Sequence, residues 1–121
     1  MQLINERTRK SVAHTVEVAE TRKERRRGLL GRAGLDEGAA LMLIPCFTVH
    51  TAFMRFSIDV VFVDGDGCVV RTVSRMPPWR MAVCVRARAV IELPAGRLEA
   101  CPLSIGDALY LVPVREQRRA S

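Results

Sequence analysis

Residues 45 to 64 read PCFTVHTAFMRFSIDVVFVD. The β-branched and aromatic content of this run is that of strands, and strands here make the whole chain a β protein. Cys46, His50 and Asp59 are its candidate chemical groups. If residues 48–54 and 57–63 form a hairpin closing around Met54 and Arg55, His50 falls opposite Asp59. An acid in that place fixes the imidazole tautomer and raises its basicity, while the same cross-strand contact also has a purely structural value. Cys46 and His50 are separated by roughly 13 Å of extended chain, so they share a face without touching.

Outward from this run, Asp64-Gly65-Asp66-Gly67 is a hairpin turn whose glycines supply positive φ, and residues 68–74 return as the partner strand. The two aspartates do not make an EF-hand, which needs further ligands and a closing Glu. On the other side, residues 39–44 are a short apolar run closed by Pro45, the pattern of a buried strand. Residues 2–9 and 12–20 predict a strand pair turning near Lys10 and Ser11, with Val12, His14, Val16 and Val18 on one face. Thr21-Arg22-Lys23-Glu24 matches the capping box and starts a short helix that docks through Leu29 and Leu30 and ends at Gly31 or Gly34. Residues 76–89, with Pro77, Pro78 and the only tryptophan, Trp79, predict a long loop with some extended backbone. A strand over 90–93, a short helix over 97–101 and a last strand over 108–114 complete the chain. The fold class is mainly β, a β-rich α+β chain: a compact antiparallel sandwich or barrel with one short N-terminal helix. It forms one domain over 1–114, followed by a flexible basic tail over 115–121.

Composition narrows the function. A chain of 121 residues is long enough to bury a core without metal or disulfide staples. No apolar run approaches the roughly 18 residues of a membrane span, and the amino terminus has no signal core, so the expected location is the cytoplasm. Cys46, Cys68, Cys84 and Cys101 form no CxxC pair, which argues for free thiols and against structural zinc. Positive charge is concentrated in Arg22, Lys23, Arg25, Arg26, Arg27 and Arg32, against Glu24, and in Arg115, Arg118 and Arg119, against Glu116. Such a patch attracts nucleic acid or an anionic membrane. No aromatic residue interrupts either cluster to stack on a base, so a solvated helix face is the preferred reading and nucleic acid is not the expected partner.

The motifs GLLGR (28–32), LMLIPC (41–46), HTAFMRFSIDVVFVDGDG (50–67), IELPAG (91–96) and IGD (105–107) together resemble the small prokaryotic family known as domain of unknown function 192. The resemblance runs from about Arg22 to Val112. It implies a mainly β sandwich or barrel with a short helix, and it implies no particular activity, cofactor or metal. The chain departs from many members at Ser57, where they have Pro, at His50, where they have an aromatic, and in lacking their secretion signal.

The remaining candidates stand outside the opening run. Arg55 at the expected hairpin tip is a candidate anion-binding residue. Trp79 is a candidate lid over a pocket or a loop anchor on the sheet. Glu92, set between Ile91 and Leu93, is either edge-exposed or a pocket acid. His14 fits a satisfied or half-exposed position on an apolar face, and Met42, Met54, Met76 and Met81 fit core filler. The function these residues support is a small binding or accessory domain with a site around His50 and Asp59, acting on a ligand or protein partner that the sequence does not specify. The alternatives are a small hydrolase or transferase using Cys46 or His50, and a weak electrostatic nucleic-acid binder working through residues 22–32.

Overall fold

The computed structural model describes residues 1–114; the expected basic tail over 115–121 lies outside the described residues. In chain order the elements are β1 (Gln2–Asn5), β2 (Ser11–Ala13), β3 (Thr15–Ala19), α1 (Arg22–Arg27), β4 (Ala39–Leu43), β5 (Thr48–His50), β6 (Ile58–Val63), β7 (Val69–Met76), β8 (Met81–Val83), β9 (Ala89–Pro94), α2 (Arg97–Ala100) and β10 (Leu109–Val112). The β-rich α+β class is as expected. It is built from a five-stranded sheet in the order β3-β4-β9-β6-β7, a three-stranded sheet β10-β1-β2 and a ribbon β5-β8. Among the described residues no sheet closes into a barrel. The large sheet is mixed rather than wholly antiparallel, because β3 runs parallel to β4.

The large sheet carries apolar residues on both faces, which is why β6 and β9 read as apolar runs without polar alternation, each interrupted by a single acid, Asp59 and Glu92. On one face Val61, Val63, Ile91 and Leu93 pack with Leu3, Val12 and Ala13 of the three-stranded sheet. On the other, Val60, Phe62 and Val90 pack with Val49 and Ala82 of the ribbon and with Leu29 after α1. Each of these faces excludes water with ordinary aliphatic side chains, and burial of one Leu or Val contributes about 1.5–3 kcal/mol.

Elements whose determinants are near in sequence form as their local signals imply. The Asp64–Gly67 turn joins β6 to β7: Asp64 Oδ1 accepts from Asp66 N and Cys68 N, both at 3.0 Å. Gly67 has φ +81, and a Cβ there would come within 2.7 Å of the Leu109 carbonyl oxygen, so only glycine fits. The capping box on α1 is complete: Glu24 N donates to Thr21 Oγ1 at 3.0 Å, and Thr21 N donates to Glu24 Oε1 at 3.0 Å. The helix ends earlier than expected, at Gly28 with φ +48 rather than at Gly31 or Gly34, and Leu29 then drops into the core. A second short helix, α2, also forms.

Three expectations are corrected or made more specific. The run over 12–20 is two strands, not one: the backbone amides of His14 and Thr15 both donate to Gly38 O, which breaks the pairing and sends β3 to β4 while β2 pairs with β1. The extended backbone expected within the loop over 76–89 is a paired strand, β8, the partner of β5. Finally, residues 48–54 and 57–63 do not form a hairpin. The strand stops at His50, Thr51 is buried, and its Oγ1 donates to Pro77 O at 2.6 Å and accepts from Arg80 N at 2.9 Å. That anchor ties the segment to residues far along the chain, and β6 pairs with β7 and β9 instead.

Candidate functional site

Because β5 and β6 are not partners, His50 and Asp59 are not a dyad. His50 is exposed and sits opposite Met81. Asp59 is fully buried: its Oδ1 accepts from Arg75 N and its Oδ2 from Leu98 N, both at 2.7 Å. Arg75 has φ +50 at the irregular end of the β6–β7 pairing, and Leu98 lies in the first turn of α2, whose N-cap Gly96 has no side chain to offer. Asp59 therefore closes two places where the backbone would otherwise leave buried donors unpaired. This is a structural role, and both of its oxygens are committed to it.

Glu92 is the contrasting case. On the central strand β9 it stands in register with Leu41 of β4 and Val60 of β6, on the face opposite Asp59 and Leu93. It is 4% exposed, and its Oε1 is buried with no hydrogen-bond partner among the described residues. Burial pushes its pKa up to about 7, and the nearby charge of Arg32, itself paired to Glu17 at 2.9 Å, only partly opposes this. At neutral pH the group is poised between an O–H donor and a carboxylate.

Glu92 lines a cavity of about 320 Å³ between α1 and the sheet. Leu29, Leu43, Val49 and Met54 supply apolar wall; Cys46, Thr48 and His50 line it from the segment that enters β5; Arg22, Arg25, Arg26 and Arg27 line it from α1. Arg25 Nη1 donates to Glu20 O, and among the described residues none of these four arginines is in an ion pair. The basic run is therefore the lining of a cavity, not only a solvated helix face. Sequence reasoning missed this, because only the fold shows that Leu29 turns α1 onto the sheet beside Glu92.

The structure thus brings Cys46, His50 and Glu92 to one cavity and puts Asp59 on the other face. Cys46 Sγ donates to Thr48 O at 3.0 Å, and no hydrogen bond joins it to His50. Arg55 and Trp79 are exposed and do not line this cavity; Trp79 packs against Phe53 with ring centroids 4.5 Å apart. Among the described residues no group of His, Cys, Asp and Glu side chains is arranged to hold a metal ion. A third buried acid, Asp107, belongs to a structural network: Arg7 Nε donates to its Oδ1 at 2.6 Å, and Asn5 Nδ2 and Ser104 N donate to its Oδ2 at 2.9 and 2.8 Å. The Arg7 hydrogen bond is the main reason its pKa is held well below the usual carboxylate range.

Fold and cavity together define a small β-rich domain with one buried acid under a basic helix. The chain belongs to the family described as "Uncharacterized ACR" (DUF192), whose model matches residues 3–111. It is 35% identical over 112 residues to a UPF0127 protein of Pyrococcus abyssi, covering 87% of this chain and 92% of that one. It is 34% identical over 124 residues to a UPF0127 protein of Thermococcus sibiricus, covering 98% and 79%. In fold it is similar to a protein of unknown function from Novosphingobium aromaticivorans, with TM-score 0.78, 20% identity and coverage of 91% of this chain and 82% of the other. A putative transcription regulator from Sinorhizobium meliloti has the same fold, with TM-score 0.77, 20% identity and coverage of 90% and 89%.

Proposed function

We propose that the chain is a binding module, acting as one domain over residues 1–114 in the cytoplasm, whose site is the cavity between α1 and the sheet. Its ligand is a small molecule with an anionic group for the arginine rim and a polar atom that reaches Glu92. The observation that carries this reading is the unpartnered Oε1 of Glu92, buried in a cavity that four arginines line. A buried carboxyl without a partner is costly, and perturbed acids in a cleft cluster at functional sites. Four cysteines without a disulfide suit a reducing compartment. No described helix is long and apolar enough to cross a membrane. An enzymatic use of Cys46 or His50 has less support, since the Cys46 thiol is bonded to a backbone carbonyl and not to the imidazole.

NMR titration with inorganic phosphate and with citrate tests the proposal. The amides of Glu92, Leu29 and His50 are expected to shift together and saturably, and the double substitution Arg26→Ala with Arg27→Ala to weaken both ligands by about tenfold, the loss of about 1.4 kcal/mol of charge-assisted contact. Shifts spread evenly over the cationic surface, with Glu92 unmoved, would reject it.

A further inference from the structure

The face of the molecule formed by β5 and β8 is apolar and uncovered. The register sets Thr48 opposite Val83 and His50 opposite Met81, so these four share the outward face while Val49 and Ala82 face the core. Met81 is 70% exposed, which corrects its reading as core filler, and Val85 is 80% exposed just beyond the strand. At the other end Phe53, 73% exposed, and Trp79, 59% exposed, pack edge to face. Both have φ +64, a left-handed conformation that bulky side chains rarely adopt, so the backbone is held in a costly shape that sets two aromatics outside the core.

The segments that build this face carry charge of one sign. From Gly67 to Ile91 the chain has no acid and five arginines, of which Arg75 is paired with Glu99 at 2.6 Å, leaving Arg71, Arg80, Arg86 and Arg88; from Gly38 to Ile58 it has Arg55 and no acid. Thr48 and His50 also border the cavity lined by the α1 arginines, so the strongest positive cluster of the chain adjoins the apolar ribbon.

We propose that the β5–β8 ribbon docks on an anionic membrane surface, with Phe53, Trp79, Met81 and Val85 entering the headgroup region and the arginines around them meeting lipid charge. Exposed aromatic and aliphatic side chains fringed by cations are the composition that binds a negatively charged bilayer interface. A second copy of the chain fits less well, because two like cationic rims would meet. Single-stranded nucleic acid fits less well too: Phe53 and Trp79 occupy one another, and Met81, Val83 and Val85 offer no stacking face. This inference does not rest on Glu92 or on the ligand of the cavity.

Trp79 is the only tryptophan, so fluorescence excited beyond the absorption of Tyr110 reads this face alone. The probe is vesicles of phosphatidylcholine mixed with phosphatidylglycerol, compared with pure phosphatidylcholine. A blue shift of Trp79 emission and co-sedimentation are expected with the mixed vesicles only, reduced by salt. The pair Arg80→Glu with Arg86→Glu, both exposed, should lower the vesicle affinity by at least about tenfold. The pair Met81→Asp with Val85→Asp should lower it without changing Trp79 emission in buffer. The proposal is overturned by the absence of a shift with mixed vesicles, by equal binding to pure phosphatidylcholine, or by a blue shift that grows with protein concentration when no vesicles are present. Quenching of Trp79 by a single-stranded oligonucleotide at physiological salt, without vesicle binding, would also overturn it.

Discussion

The two faces of the five-stranded sheet each bury a carboxyl side chain, and the two are treated in opposite ways. Asp59, on the face covered by the three-stranded sheet and α2, has a backbone amide on each oxygen. Glu92, on the face covered by α1 and the ribbon, has a buried oxygen that finds no hydrogen-bond partner among the described residues. The difference teaches where to look for function. A buried acid whose hydrogen bonds are complete is part of the scaffold, whereas one left incomplete beside a cavity is the observation on which the proposed binding site rests.

The largest expected effect comes from the scaffold side. Asp59→Ala leaves the amides of Arg75 and Leu98 without their acceptor, and two charge-assisted hydrogen bonds to a buried acid are worth about 3–5 kcal/mol together. Urea denaturation should show that loss, while Glu92→Gln should cost little at the same pH. Equal losses for the two variants would erase the distinction.

Next is the pH dependence of Glu92. Its folded pKa of about 7 lies above its ordinary value, so between the two the folded state holds a proton that the unfolded state has released. Stability from this group is therefore full below about pH 4.5 and falls as pH rises through 7, by about 3 kcal/mol in the limit. Denaturation midpoints measured across that window should decline in the native protein, and Glu92→Gln should remove most of the decline.

Asp107 has the opposite sign. Its folded pKa is depressed by Arg7, so its stabilisation is present above the ordinary carboxylate pKa and is lost only as pH falls well below it. Asp107→Ala should cost about 2 kcal/mol at neutral pH by orphaning Asn5 and Ser104, and its effect should shrink in acid. The smallest effect is at α1: Thr21→Ala should cost about 1 kcal/mol through loss of the cap, against almost nothing for Arg26→Ala, which has no part in the cap.

What the sequence made legible follows the range of the interactions. The capping box at Thr21 and Glu24, the Asp64–Gly67 turn and the buried strand before Pro45 are local devices, each determined by neighbours a few residues away. The pairing of β5 with β8 is not local, since Thr51 is held by Pro77 and Arg80, and no pattern within residues 48–63 announces that anchor. The His50–Asp59 hairpin failed for that reason: alternation says which residues share a face, not which strand lies beside them. The sequence around Glu92 fits either an edge residue or a pocket acid. Choosing between them needed the knowledge that β9 is the middle strand, with Leu41 and Val60 on either side.

The most direct test of the account is the titration of the Glu92 side-chain carboxyl by carbon-13 NMR in the intact protein. The account predicts a midpoint near 7, raised by burial without a hydrogen-bond partner. A midpoint near the ordinary glutamate value of about 4.3 would show that the carboxylate is already satisfied or hydrated, and would contradict the central claim.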